Sequence, residues 1–169
     1  MKNIELKIEV NKFKDIVLLL KKIDAHIKGV LMQKDTYFNC DSSRLKLREI
    51  NNNFFELISY NRPDKCSSKL SNYEVEKLTK KQMQKKKIEL GRTLGKVAVV
   101  DKKRELWMAG HTRIHLDSVK KLGKFLELET VVSGISNKEA YKEHKRMINN
   151  LGLNKYRKCA GSYGDMLLD

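Results

Sequence analysis

Glu5 and Lys7 stand two residues apart, as do Glu127 and Glu129, Lys102 and Arg104, the run Arg44, Lys46, Arg48, and the run Arg113, His115, Asp117. A spacing of two places side chains on one face of a strand, because successive Cβ atoms point to opposite sides of the pleat. In four of these stretches, Ile4–Val10, Arg44–Arg48, Arg113–Asp117 and Leu126–Glu129, the intervening residues are apolar. Each stretch therefore pairs a face fit for burial with a face that carries ions. The acids Glu5, Glu127 and Glu129 are hard oxygen ligands of the kind Mg²⁺ and Mn²⁺ take, a few carboxylates being completed by phosphate oxygens. The bases Lys7, Arg44, Lys46, Arg48, Lys102, Arg104 and Arg113 offer positive charge and donors to phosphate.

Acids and bases on the same faces suit a metal–phosphate complex, whereas a simple anion sink needs no acids. For any one stretch the plainer explanation is a solvated strand face; the repetition weakens it for the set. Glu9 is in phase with Glu5 and Lys7, but its place at the strand's end suggests a rim or solvent position.

At 169 residues, 40% hydrophobic and 34% charged, the chain suits one soluble globular domain, residues 1–169, with a real core. A net charge of +15 points to an anionic partner: a phosphate compound, nucleic acid or an acidic membrane. A generally lysine-rich composition raises the same number. No run approaches the roughly 18 apolar residues of a membrane span, and no secretory signal precedes the first strand. Cys40, Cys66 and Cys159 are odd in number and lack CxxC spacing. A disulfide framework or zinc site is not expected, and the thiols fit a reducing, cytoplasmic setting.

The elements that must position these residues follow from periodicity and turn chemistry. Phe13, Ile16, Val17, Leu20 and Ile23 predict a helix within residues 12–28, capped by Asn11 and stopped by Gly29. A strand is expected over Val30–Asn39. A hairpin should join Leu45–Ile50 to Phe54–Tyr60 through Asn51-Asn52-Asn53. Asn72–Val75 reads as a short strand, and the lysine-rich residues 78–90 as a helix ending near Gly91 or Gly95. Strands are expected at Lys96–Asp101, Glu105–Ala109, Thr112–Leu116 and Phe125–Val132. Helices follow from an Asn137 cap to Asn150 and over Ser162–Leu168.

This order predicts an α+β protein on a large antiparallel sheet. About eight strands can close into a barrel with helices outside, alternate residues facing the lumen. Charges inside would be costly without partners. A wet tunnel that holds a polyanion and a metal removes that difficulty.

Asn3-Ile4-Glu5-Leu6-Lys7 resembles the ExExK signature of the CYTH superfamily, the triphosphate tunnel metalloenzymes that include class IV adenylyl cyclases and thiamine triphosphatases. Gln33–Phe38, Arg44–Glu49, Lys102–Glu105, Thr112–Asp117 and Leu122–Glu129 follow in that family's order, and Ser162–Leu168 resembles its C-terminal motif. The resemblance spans almost the whole chain and is nearest the class IV cyclase branch. It implies a barrel tunnel, a small triphosphate substrate and Mg²⁺ or Mn²⁺ on Glu5, Glu127 and Glu129. It places Lys7, Arg48, Lys102, Arg104, Arg44 and Arg113 on phosphate-binding positions. Asp117 falls on a tunnel acid that orients neighbouring bases or the nucleophile. Lys46 joins the bases by phase. Lys7, Arg48 and Asp117 are the catalytic candidates.

Two departures stand out. Asn3 replaces the first Glu of ExExK, and Tyr60-Asn61-Arg62-Pro63 replaces a tunnel lysine before a glycine-proline turn, where Arg62 could compensate.

The expected activity is metal-assisted phosphoryl transfer on inorganic, thiamine or nucleoside triphosphate, with hydrolysis preferred because no adenine-reading motif is evident. The alternative is a class IV adenylyl cyclase that forms cyclic AMP and pyrophosphate. A third possibility is a non-catalytic polyphosphate or nucleic-acid binder using Lys77, Lys80, Lys81, Lys85, Lys86 and Lys87. That cluster contains no aromatic residue for base stacking, so no specific nucleic-acid partner is expected. No membrane partner is expected either, and a monomer and a homodimer are both compatible with the sequence. His115 is expected to make a polar contact rather than bind metal. Trp107 and Tyr37 are expected on the apolar side of the sheet, and Tyr163 with Asp165 as anchors of the C-terminal segment.

Overall fold

In the computed structural model, which describes residues 2–40, 43–61 and 66–168, the alternating stretches become neighbours around a closed barrel. The strands are β1 (Lys2–Val10), β2 (His26–Phe38), β3 (Arg44–Ile50), β4 (Phe54–Asn61), β5 (Lys69–Leu78), β6 (Lys96–Ala109), β7 (Thr112–Val119) and β8 (Gly123–Val131). They close in the order β1-β5-β4-β3-β2-β6-β7-β8, and every pairing is antiparallel. The helices are α1 (Lys14–Lys22), α2 (Lys80–Thr93), α3 (Asn137–Asn150) and the short α4 (Tyr163–Met166).

The barrel turns its charged faces inward, beside some apolar side chains, and packs its main apolar layer outside. Leu6, Ile8, Trp107, Ile114, Leu116, Leu126 and Leu128 face outward and pack with Ile16 and Leu20 of α1 and Met147 of α3. Burying each large aliphatic side chain contributes about 1.5–3 kcal/mol. This outer layer therefore holds the barrel shut while the interior stays available for chemistry. A second cluster, Phe38, Leu47, Phe55, Leu78 and Met83, sits under α2.

Side chains of α3 also pin it to the barrel. His144 is buried, its Nδ1 2.9 Å from Thr130 Oγ1, and Thr112 Oγ1 donates to Glu143 at 2.7 Å. Among the described residues no helix is long and apolar enough to cross a membrane.

Several element bounds differ from those expected, each for a local reason. α1 stops at Lys22 because Asp24 takes a left-handed φ of 53° and β2 begins at His26; its N-cap is Phe13, without a side-chain cap, rather than Asn11. Strand pairing draws Lys96–Ala109 into one fourteen-residue strand where two were expected, and extends the short Asn72–Val75 strand to Lys69–Leu78. The cap of α3 is Ser136, which forms a capping box with Glu139, so Asn137 is already helical. The β3–β4 turn forms on the expected Asn triplet. Asn51 and Asn52 take φ values of 51° and 57°, a region asparagine tolerates.

Candidate functional site

The interior contains a cavity of about 440 Å³. Closure of the barrel brings Lys7 from β1, Lys46 and Arg48 from β3, Lys102 and Arg104 from β6, and Arg113 from β7 to its wall. Glu5 lines the same cavity, with Glu127 and Glu129 of β8. The register explains this convergence: Glu5 pairs with Glu129 and Lys7 with Glu127, while Arg113 and His115 lie across from Glu129 and Glu127.

Two buried acids organise the bases. Asp35, fully buried on β2, accepts both Arg48 Nε and Nη2 at 2.8 Å and Lys46 Nζ at 3.2 Å, with Lys102 Nζ at 3.5 Å. Burial opposes its charge, yet Arg48, Lys46 and Lys102 hold its carboxyl well below the usual carboxylate range. Asp117, equally buried, accepts Arg104 through two bonds of 2.7 and 2.6 Å and the Tyr163 hydroxyl at 2.8 Å. Arg104 reaches on to Glu127 at 2.7 Å.

Burial, with crowding of cations, lowers the lysines. Burial, then Arg104 and Arg48, bring Lys102 down to about 7 against the pull of Asp35. Burial and Arg48 bring Lys46 to about 8. An anion delivered to this wall would favour the charged forms of both.

Beside the cations lies a cluster of possible metal ligands. Donor atoms of His115, Glu127 and Glu129 lie within 4.8 Å of one another. Burial works against charge on Glu127, but Lys7, the His115 imidazole and Arg104 hold it well below the usual range. The donor set fits a divalent ion. Two carboxylates converge, and among the described residues the Nδ1 of His115 is buried without a hydrogen-bond partner, as is the Oδ1 of Asn3, which lines the same cavity.

The CYTH domain family matches residues 1–163 of this chain. The chain belongs to the CYTH family. A curated relative in Methanocaldococcus jannaschii, named "putative adenylate cyclase", is 28% identical over 173 residues, covering 96% of this chain and 97% of the relative. Among solved structures, the PH1012 protein of Pyrococcus horikoshii superposes with a TM-score of 0.82 at 26% identity, covering 96% of this chain and 98% of that one. A structure from Vibrio parahaemolyticus titled a "putative adenylate cyclase" shares the fold with a TM-score of 0.76 at 17% identity, over 99% and 98% of the two chains.

Within this CYTH barrel some side chains stand elsewhere than expected. Arg44 is turned away from the main cavity and donates to Asp165 at 3.0 Å, lining a smaller cavity of about 350 Å³ with Tyr60 and Asn61. Asp117 does not line the main cavity; it stands behind Arg104 and Tyr163, so it can orient them but cannot touch a molecule in the cavity. Tyr37 is not on the apolar outer face. It shares the phase of Gln33 and Asp35, lines the cavity, and lies 5.3 Å beneath the Lys46 ammonium. Trp107 is on the outer apolar face as expected. Arg62 lies outside the described residues.

The C-terminal segment forms one end of the site. Cys159 N donates to Lys7 O, and the chain then carries Tyr163 into the barrel, where Lys7 Nζ sits 4.0 Å from the ring centre. Lys7 also donates to Gly161 O at 2.9 Å, and Lys69 to Ala160 O. With Tyr37, Val100, Val119 and Phe125, Tyr163 makes an apolar plug. Both expected anchors are present, with Tyr163 in the plug and Asp165 on Arg44.

Asp35, Lys69 and the inward Tyr37 were not among the sequence candidates. The alternation Gln33-x-Asp35-x-Tyr37 held the signal, but a lone acid without a partner in sequence offered no chemistry. The lysine cluster is dispersed: Lys77 lines the cavity, Lys86 pairs with Glu76 at 3.3 Å and Lys87 with Glu49 at 2.7 Å.

Proposed function

We propose that residues 1–169 act as one unit that hydrolyses a small triphosphate with a divalent metal. The observation that carries this is the adjacency, in one cavity, of a cation wall and a carboxylate–imidazole cluster. Lys7, Lys46, Arg48, Lys102, Arg104 and Arg113 would bind the phosphate chain. Lys7 and Arg48 would also neutralise charge that develops on the leaving phosphate. Asp35 holds Arg48 in a two-point grip, and Asp117 does the same for Arg104. The donors are thereby fixed before substrate arrives, and little reorganisation remains to be done during reaction.

Asp117 thus acts as a positioning residue, and Arg44 secures α4 rather than a phosphate. Glu5, Glu127 and Glu129 would hold Mg²⁺ or Mn²⁺, which supplies Lewis-acid polarisation of a phosphoryl oxygen when bound.

One observation favours a second reaction. Leu31, Ile50, Val75 and Leu106 give the cavity an apolar portion that could seat a nucleobase. Together with the names of the relatives, this supports conversion of ATP to cyclic AMP and pyrophosphate as the alternative.

The test is product analysis with ATP, thiamine triphosphate and inorganic triphosphate, each with Mg²⁺ or Mn²⁺. Hydrolysis predicts release of orthophosphate that is lost in Glu129→Gln. Cyclic AMP with pyrophosphate as the main products would replace hydrolysis by cyclisation. No turnover of any triphosphate, with unimpaired tripolyphosphate binding, would leave a non-catalytic binder.

A further inference from the structure

We infer that His115 is a metal ligand through Nδ1, so that the site is a mixed imidazole–carboxylate centre selecting a borderline transition dication over Mg²⁺. This rests on the metal-centre part of the proposed function and adds a ligand and a selectivity to it.

Three observations carry the inference. His115 is 3% exposed, and its Nδ1 is a buried ring nitrogen with no hydrogen-bond partner among the described residues. A polar atom in that condition is costly unless something binds it. The same nitrogen points at two carboxylates, 3.6 Å from Glu127 Oε2 and 3.8 Å from Glu129 Oε1. An imidazolium paired with either glutamate would draw in to about 2.8 Å, the length of a charge-assisted hydrogen bond. Two donor atoms that share a cation at about 2.1–2.2 Å from each, at angles near those of a tetrahedron, lie about 3.4–3.6 Å apart. The observed gaps of 3.6 and 3.8 Å lie at and just above that separation, and both exceed a hydrogen bond.

The glutamates have other cations beside them. Arg104 donates to Glu127 at 2.7 Å, Lys7 lies 3.6 Å from it, and Arg113 lies 3.9 Å from Glu129. Charge on the two acids is therefore already balanced in part. The sequence supplies a reason for the substitution of donors. Asn3 stands where the ExExK pattern has a first glutamate, so the β1 side offers a neutral amide in place of a carboxylate. Its Oδ1 is also buried without a partner among the described residues. With one hard anionic ligand gone and an imidazole available, the donor set moves away from all-oxygen Mg²⁺ chemistry. It moves toward Mn²⁺, Co²⁺ and Zn²⁺, which accept nitrogen.

Metal binding without substrate tests this. Purified full-length protein is loaded with MnCl₂ alone, and pulsed electron paramagnetic resonance is used to look for ¹⁴N coupling to the ion. Calorimetric titrations with Co²⁺ and Mg²⁺ give the ratio of affinities in wild type and in His115→Gln. The expected result is histidine nitrogen coupling in wild type, absent from the variant. The Co²⁺ to Mg²⁺ preference should also fall at least about tenfold in the variant, the smaller loss seen even for outer partners of metal ligands.

Mn²⁺ bound with no nitrogen coupling in wild type would overturn the inference, as would an unchanged preference in a folded variant. If His115→Gln does not fold, the wild-type spectrum alone decides. Turnover plays no part in the measurement. A protein that binds Mn²⁺ through nitrogen yet processes no triphosphate would uphold this inference while refuting the proposed function.

Discussion

Replacing Asp35 by Asn removes the charge that three interior cations share. The carboxylate is fully buried and accepts two bonds from Arg48 and one from Lys46, with Lys102 at 3.5 Å. Deleting one partner of a buried ion pair costs about 3–5 kcal/mol, because the remaining charge stays buried without its counterion. Lys46 and Lys102 can relieve part of that cost by releasing protons, but a guanidinium cannot. Asp35 raises both lysines, so they lie lower still in the variant; the relief shrinks as pH falls, and the cost comes nearer its full size at pH 6 than at neutral pH. For a chain of this length each kcal/mol moves Tm by about 2–4 °C, so Asp35→Asn should lower Tm by about 6–20 °C.

A polyanion in the cavity can take over the role of counterion. Saturating tripolyphosphate should raise the Tm of Asp35→Asn more than it raises that of wild type. Differential scanning calorimetry at pH 6, with and without tripolyphosphate, measures both quantities. A loss below about 1 kcal/mol, or equal ligand-induced shifts in the two proteins, would refute the assignment of Asp35 as the internal counterion.

The lysines set a pH dependence of definite sign. Their folded-state values, about 7 for Lys102 and about 8 for Lys46, lie below the unfolded value near 10.4. The ligand-free protein therefore sheds protons on folding, and these groups contribute stability that grows as pH rises from about 7 toward 10. Tripolyphosphate binds the charged forms, so its affinity should be highest below about pH 7 and fall above it. Titrations at pH 8 in buffers of different ionisation enthalpy should show proton uptake on binding; none would count against charged lysines in the site.

Gly164→Ala should lower Tm by several degrees, because a Cβ there would meet the Tyr37 ring at 2.9 Å and overpacking costs about 1–3 kcal/mol. An unchanged melting curve would mean that α4 is not seated against Tyr37. Thr79→Ala removes the capping box of α2 and should cost about 1 kcal/mol with triphosphate turnover unaltered. A loss of turnover at unchanged metal affinity would show that α2 communicates with the cavity.

How much of this site could be read from the chain depends on whether the controlling contact is local. Glu5 and Lys7 share a face because a strand alternates, whatever it pairs with; the same holds for Arg44, Lys46 and Arg48. The apolar partners of those residues fixed which face would be buried under helices, and the count of strands made closure a sound expectation. Alternation does not reach across strands. His115 meets Glu127 and Glu129 only because β7 and β8 pair in one register, and a shift of one residue would turn each side chain to the other face.

Arg44 shared the phase of Lys46 and Arg48, yet near the end of β3 it found Asp165 of α4 within reach, 121 residues away. Asp35 and Asp117 likewise became keystones through contacts with Arg48 and Arg104 that closure of the barrel supplies.

The sequence by itself determined the two-faced strands, the stock of acids and bases, and the family to which they belong, because those depend on residue type and on a period of two. Tertiary structure decided which acid grips which base, which arginine leaves the cavity, and that an imidazole stands between two glutamates. Those outcomes depend on register and on barrel closure, which sum small preferences over many residue pairs and are written at no single position of the chain.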